Sequence, residues 1–344
     1  MIIIRIKGKV NKRVKCTWQW NPTDALTSVS YHKVSKFTMT AQYCIQRLKG
    51  VSQLVQVYGN LVCAFCVLNL VFAVVATFGN LLVIRALRKA SSIPTNLRKL
   101  LLNLAFSDLA VGLFSQPMFA VIVAMMLRMA ANSNYNFDFL CPVILNVGYF
   151  TFFLLGCASF LTIAVITVDR ILAIFLHLRY HELVTSERVV ISLVCLWLTS
   201  AIAASILISV PTLNQIVTAI ILFTGLSLTT IAYILIYKVV KYHRNQIHHQ
   251  HQITNAQDLN YLREKKSTFN ALFVYIVFTA CYFPHLCSVI LLIANSSQLS
   301  FLVVEHISLF LLLLNSSLNP LVCYWRYGEL RAIINGTLMK IFHI

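Results

Sequence analysis

The chain has 344 residues, 59% of them hydrophobic and only 11% charged, against about 25% charged in a typical soluble domain. That composition excludes an ordinary water-soluble globular protein. A net charge of +18 invites a nucleic-acid partner, but the placement of the basic residues along the chain argues against one.

A helix crossing a bilayer needs ~20 apolar residues. Taken in chain order, Gly50–Ile84 carries no charge, Leu100–Leu127 carries only Asp108, and Phe139–Val168 carries none. Val189–Tyr237 is 49 residues without charge, too long for one crossing, and breaks at Pro211-Thr212-Leu213-Asn214-Gln215. Ser267–Trp325 holds only Glu305 and breaks at Asn295-Ser296-Ser297-Gln298. These runs predict seven membrane-spanning helices. The divisions are a basic tail over 1–55, a bundle over 56–325 and a terminal segment over 326–344.

Seventeen of the 28 Lys and Arg fall in Arg85–Lys99, Arg170–Arg188, Lys238–Lys266 and Arg326–Lys340. All four lie on one membrane side if seven helices alternate. By the positive-inside rule that side is the cytoplasm, which puts the carboxyl end inside and the amino end outside. The basic charge then serves topology, anionic lipid and an acidic cytoplasmic partner, not nucleic acid. The first ~50 residues fit that rule poorly, with ten Lys or Arg and one acid, Asp24. A start at Met39 would remove most of that excess and leave residues 1–38 outside the natural protein.

Ten cysteines are scattered without metal-like spacing. Those within the spans read as small apolar fillers. Cys141, at the outer end of the third span, has no evident disulfide partner. His243, His248, His249 and His251 lie in a polar loop with no carboxylate or Cys at ligand spacing, so they read as a solvated loop. No constellation of catalytic residues is present.

The charge-free run before Val168 ends in Asp169-Arg170-Ile171-Leu172-Ala173-Ile174. An acid–base pair at the end of a span is costly and rarely accidental. This string resembles the DRYLAI switch of rhodopsin-like (class A) G-protein-coupled receptors. Gly79-Asn80 resembles that family's GNxLV, Pro94-Thr-Asn its PTN, and Leu102 to Asp108 its LNLAxxD. Trp197 fits the fourth span. Phe278 with Cys281-Tyr282-Phe283-Pro284 resembles FxxCWxP. Asn319-Pro320 to Tyr324 resembles NPxxY, and Trp325 to Arg331 resembles a short eighth helix. The match covers roughly residues 60–335, and the motifs are specific in their order and spacing. It implies an all-α membrane protein, a seven-transmembrane helix bundle with a short amphipathic eighth helix. It implies a plasma-membrane receptor that activates a heterotrimeric G protein when an extracellular ligand binds.

The departures are informative. Ile171 replaces the Tyr after Arg170, Tyr282 a Trp, Gly225 the fifth-span Pro and His177 a loop Pro. Cys323 stands in the NPxxY Tyr position, with Tyr324 one residue late. Leu145 holds the place of the third-span Cys of the outer disulfide. Such gaps loosely resemble the melanocortin–cannabinoid–lysophospholipid branch.

The resemblance assigns a switch and G-protein-coupling set: Asp169, Arg170, Glu264, Tyr233, Leu178, Pro284, Phe278, Asn319 and Pro320. It implies an allosteric sodium ion at Asp108, Ser159, Asn315 and Asn319. The alternative for Asp108 is a neutral buried carboxyl bonded to Asn80 or Asn319. The aligned pocket face is Tyr149, Phe152, Phe153, Tyr282, His285, Glu305 and Ser308. Phe152 stands where amine receptors carry an acid, and the seventh span has no Lys for a retinal Schiff base. Met118, Leu145 and Tyr149 replace the acids that bind basic peptides. The pocket therefore suits an apolar or lipid-like ligand with a polar head near Glu305 or His285, unless its aromatics merely pack the bundle. No other cofactor is expected. The competing function is a seven-helix transporter or channel using Asp108 and Arg170 as a charge path, which would show internal repeats. None is visible.

Overall fold

The computed structural model describes the backbone of residues 23–131, 140–175, 179–209, 211–250, 255–294 and 299–342, and the side chains within these ranges from residue 55 onward except for 242–274 and a few loop flanks. The described elements are all helical. They are α1 (Thr23–Lys89), α2 (Thr95–Ala110), a π-turn (Val111–Ser115), α3 (Gln116–Ala131), α4 (Leu140–Phe175), α5 (Tyr180–Leu183), α6 (Ser186–Ser209), α7 (Pro211–Gln250), α8 (Asn255–Ala294), α9 (Leu299–Arg326) and α10 (Gly328–Phe342).

Seven stretches are long and apolar enough to cross a membrane: Val55–Lys89, Thr95–Arg128, Val143–Ala173, Ser186–Ile208, Gln215–Val239, Tyr275–Ala294 and Val303–Arg326. They coincide with the seven charge-poor runs, and the second is built from α2, the π-turn and α3. Pro211 opens α7, as expected of a residue that fits the first helical turn. The helix that begins at Thr23 breaks at Tyr58, with φ −119° and ψ 25°, so the tail expected over 1–55 contains helix before the first span proper. The break at Asn295, Cys141 and the four loop histidines lie outside the described side chains.

Hydrophobicity alone does not sort helices in a bilayer, because lipid is as apolar as leucine. Ile191, Val194, Leu198 and Ile202 of α6 are exposed at three- and four-residue spacing and form a lipid-facing stripe. Polar bridges fix the packing instead. Asn103 of α2 donates to Thr162 Oγ1 (2.8 Å) and accepts from Trp197 Nε1 (2.9 Å), which ties the second, third and fourth spans together. Pro320 has no N–H, so the carbonyl of Ser316, four residues before it, loses its helical donor. Asn80 Nδ2 of α1 donates to that carbonyl at 3.1 Å. Gly79 lets the Pro320 ring approach, since a Cβ there would lie 2.9 Å from it.

Beyond the seventh span, α10 lies against the first loop. Leu330 and Ile334 are buried with Leu87, Ala90 and Ile93. Glu329 accepts from the backbone N–H groups of Ser91 (2.8 Å) and Ser92 (3.1 Å), and from both serine hydroxyls. The Ser92 hydroxyl and the Ser91 N–H contribute most to pulling the carboxyl down to about 2. A depressed carboxyl stabilises the contact fully above its free value and loses it as pH falls through the folded one. The α10 clamp should therefore hold unchanged from neutral pH to about 5 and weaken only toward about 2. Glu329→Gln should speed α10 amide exchange at neutral pH. Equal exchange in the two proteins at pH 7 would show that the clamp holds nothing.

Candidate functional site

Asp108 sits at the centre of the bundle, fully buried. Its Oδ1 accepts from the hydroxyls of Ser159 (2.9 Å) and Ser316 (2.8 Å), and its Oδ2 accepts from Asn319 Nδ2 (2.6 Å). Three donors from α4 and α9 thus converge on one acid of α2, which is what a carboxylate needs in a medium without water. Of the expected partners, Ser159 and Asn319 are present. Ser316 takes the place assigned to Asn315, which is buried with its Nδ2 unpartnered. One residue along a helix is ~100° of rotation, and the packing of α9 turns Ser316 toward the acid. Asn80 bonds the Ser316 carbonyl and the Ala76 carbonyl, not Asp108.

At the end of the third span, Arg170 Nε donates to Asp169 Oδ2 at 3.0 Å, and Nη2 donates to the same oxygen. Asp169 Oδ1 accepts from the Tyr180 hydroxyl at 2.7 Å. Burial first, and the bond to Asp169 second, push the Tyr180 hydroxyl up to about 12, so it stays a donor at any physiological pH. Tyr180 had no signal in the sequence, because a loop residue ten positions from Arg170 follows no helical period. Tyr233 of α7 stacks on Tyr275 of α8 with centroids 5.0 Å apart, and Tyr275 shares a 2.9 Å hydrogen bond with Thr230. Cys323 is buried among residues of α1 and α2, while the Tyr324 hydroxyl donates to Asn335 Oδ1 of α10 at 3.1 Å. Tyr324 therefore ties the seventh span to α10 and does not replace the displaced motif Tyr. Pro284 and Pro320 lie inside α8 and α9 as expected. Glu264 and Leu178 lie outside the described side chains.

Toward the other end, a half-open cleft runs among the third to seventh spans. Its walls include Phe152, Phe153, Leu207, Ile221, Tyr282 and His285. Four of the seven expected pocket residues line it. Tyr149, Glu305 and Ser308 do not, because Tyr149 packs toward the first and second spans and Ser308 sits behind His285. Ser308 Oγ donates to the Glu305 carbonyl at 2.7 Å and lies 3.0 Å from His285 Nδ1. With that proton spent, His285 is the Nδ1–H tautomer, and Nε2 is its acceptor. Below it, Phe160, Phe278 and Tyr282 form an aromatic cluster with centroids 4.6–5.5 Å apart. The Tyr282 ring packs on Phe160 with centroids 5.0 Å apart, and Phe160 follows Ser159 on α4, the serine that donates to Asp108.

A family profile described as "7 transmembrane receptor (rhodopsin family)" matches residues 79–216. The chain is 24% identical to melanocortin receptor 4 of Danio rerio over 276 residues, covering 76% of this chain and 80% of that one. It is 32% identical to adenosine receptor A2b of Gallus gallus over 136 residues, 40% of this chain and 36% of that one. It is 31% identical to melanopsin of Branchiostoma belcheri over 127 residues, 37% of this chain and 17% of that one. Over residues 79–216 the chain is thus similar to the rhodopsin family of seven-transmembrane receptors. Its seven long apolar helices agree with a multi-pass membrane receptor. The matched lengths of the adenosine receptor and melanopsin are well under two thirds, so ligand and partner do not transfer from them.

The donor set around Asp108 in this receptor fits a hard monovalent cation, since a carboxylate and two hydroxyl oxygens meet there. Ser159, Ser316 and Asp108 would hold it, and the ion would add charge compensation to a buried acid. Asp108→Asn removes the charge but keeps one acceptor and similar shape. Sodium should lower agonist affinity of the parent, by no more than its differential affinity for the two states. The variant should show no salt effect. Radioligand competition in sodium against a bulky organic cation decides it, and an unchanged sodium response in Asp108→Asn removes the site.

Proposed function

We propose that this receptor lies in the plasma membrane with its amino end outside and its carboxyl end cytoplasmic. There it converts binding of an apolar, uncharged ligand into activation of a heterotrimeric G protein. The observation that carries the reading is one connected path. The cleft ends on Tyr282, Tyr282 packs on Phe160 of α4, and the preceding Ser159 meets Asn319 on Asp108. A ligand that moves Tyr282 thereby acts on α4 and α9 together. The third span ends in the Asp169–Arg170 pair, where release of Arg170 would admit a G-protein helix. Glu264 would hold Arg170 in the resting state and Leu178 would contact the partner. Pro284 would let the inner half of α8 swing. The cleft walls are mostly aromatic and aliphatic, with no carboxylate, Lys or Arg among them, which supports an uncharged ligand that hydrogen-bonds His285.

A transporter or channel path is not favoured. The relatives are receptors, and three donors close the Asp108 carboxylate. The deciding experiment is a G-protein activation assay across Gα families with lipid, peptide and odorant libraries, on cells tagged at both ends. Uncharged apolar compounds should activate, and His285→Phe should weaken the best of them about tenfold, the worth of one buried hydrogen bond. Coupling only to cationic peptides, or labelling of the carboxyl tag on intact cells, overturns the proposal.

A further inference from the structure

The turn between the first two spans reads Arg88-Lys89-Ala90-Ser91-Ser92-Ile93-Pro94. Pro94 lacks an N–H and disfavours helix in the residue before it, so the chain turns here. Arg88 and Lys89 end α1, where the helix dipole favours cations. Ala90 and Ile93 are buried and anchor the turn, while Ser91 and Ser92 between them are exposed. Both serines lie outside the membrane-spanning stretches, the first ending at Lys89 and the second starting at Thr95. Their hydroxyls and backbone N–H groups all converge on the Glu329 carboxylate of α10. The bond from the Ser91 hydroxyl is 3.2 Å long, beyond the usual range for O–H donors and therefore weak.

Two features single out Ser91. Arg88 and Lys89 precede it by three and two residues and are exposed, the charge pattern that a protein kinase with an acidic substrate groove selects. Arg98 of α2 donates from Nη1 to the Ala90 carbonyl at 2.9 Å. That carbonyl belongs to the peptide bond joining Ala90 to Ser91, so a guanidinium already stands next to the residue. Glu329 and a phosphate cannot share this turn. A phosphoserine carries about two negative charges and adds acceptor oxygens, where the carboxylate needs donors. The exchange is Glu329 for Arg98: repulsion drives the carboxylate out, and the guanidinium takes the phosphate in a charge-assisted bond. Leu330 and Ile334 keep their apolar contacts with Leu87, Ala90 and Ile93, so α10 is loosened and not detached.

We propose that Ser91 is a phosphorylation site for a basic-directed protein kinase, and that phosphoserine there unlatches α10 from the first loop. Ser91 Oγ attacks the γ-phosphorus of ATP. A new O–P bond forms, the bond to the β–γ bridging oxygen breaks, ADP leaves, and the hydroxyl proton passes to the base of the kinase. Nothing is oxidised or reduced. A kinase takes its substrate extended, so it captures the turn while the clamp is open, and the phosphate then blocks re-closing. The proposal rests on the cytoplasmic placement of this turn, because ATP is there.

The full-length receptor in lipid nanodiscs is incubated with magnesium ATP and a purified basic-directed kinase of the cyclic-nucleotide-dependent class. Phosphate is mapped by peptide mass spectrometry, and amide exchange is followed in α10. Ser91 should be modified in the parent, and severalfold faster in Glu329→Gln, whose clamp is open more of the time. Arg88→Ala with Lys89→Ala should slow the modification severalfold. Exchange over residues 330–337 should rise roughly tenfold when the parent is phosphorylated, as the clamp hydrogen bonds are lost. It should not change in Ser91→Ala treated alike. A nanodisc exposes both faces, so failure here is failure of the site, whereas the carboxyl tag on intact cells decides orientation. Three results overturn the proposal: no phosphate on Ser91 of the parent, phosphate confined to Ser92, or Ser91 phosphate with α10 exchange unchanged.

Discussion

Arg170→Ala is expected to abolish agonist-driven G-protein activation while surface expression stays within about twofold of the parent. The Arg170 side chain is 24% exposed and Asp169 only 4%, so the guanidinium is the member with room to leave. Removing it leaves Asp169 the Tyr180 hydroxyl as a donor. An unpaired buried carboxylate is costly, but partial exposure and the Tyr180 bond reduce the loss to about 1–2 kcal/mol. That is enough to lower thermal stability and too little to prevent folding. Tyr180→Phe acts on the same pair from the other side. It removes a hydrogen bond worth about 1 kcal/mol from the resting arrangement. A two-state receptor should answer with a rise in basal coupling of up to about fivefold. A calcium or cyclic-nucleotide reporter at matched surface density separates the outcomes. Full agonist response in Arg170→Ala would remove Arg170 from coupling. Unchanged basal signal in Tyr180→Phe would mean that Asp169 holds Arg170 without it.

The spans were legible because charge is so expensive in lipid that its absence marks them. The positions of Asp108, Ser159, Asn319, Asp169 and Arg170 were legible through the motifs and the resemblance they carry. Contacts that depend on local rotation were not. Ser316 and Asn315 differ by ~100° about the axis of α9, and only the packing against Gly79 and Asn80 chooses between them. The same rotation separates Tyr324 from Cys323, and the Tyr324 hydroxyl ends at Asn335. Pro117 was a visible signal that went unused. It accounts for the π-turn over Val111–Ser115. Tyr180 and the Glu329 clamp depend on loop geometry, which leaves no periodic trace.

Gly225→Ala should destabilise the receptor, against the usual sign for glycine in a helix. Elsewhere in α7 the change would gain about 1 kcal/mol of helix propensity. Here a Cβ would stand 2.2 Å from Cε1 and Cζ of Phe160. That ring is buried, stacks on Phe278 at 5.5 Å and lies tilted against Tyr282 at 5.0 Å, so any retreat disturbs both neighbours. Overpacking of this kind costs about 1–3 kcal/mol, which outweighs the propensity gain. The missing fifth-span proline is thus a steric exchange, in which a large side chain on α4 occupies space vacated on α7. Phe160→Leu alone should also destabilise, by leaving a void beside Phe278. Combined, the two changes should recover most of the loss, because the methyl enters the space the ring leaves. Residues in contact are where additivity fails, so the double-mutant cycle should show a coupling of about 1 kcal/mol or more. Thermal midpoints of the four purified receptors measure it. Because Tyr282 rests on Phe160, Gly225→Ala should also shift ligand potency, and the double variant should restore it. A Gly225→Ala receptor as stable as the parent, or strict additivity across the cycle, would show that the ring moves aside freely and that Gly225 is not what positions the cleft floor.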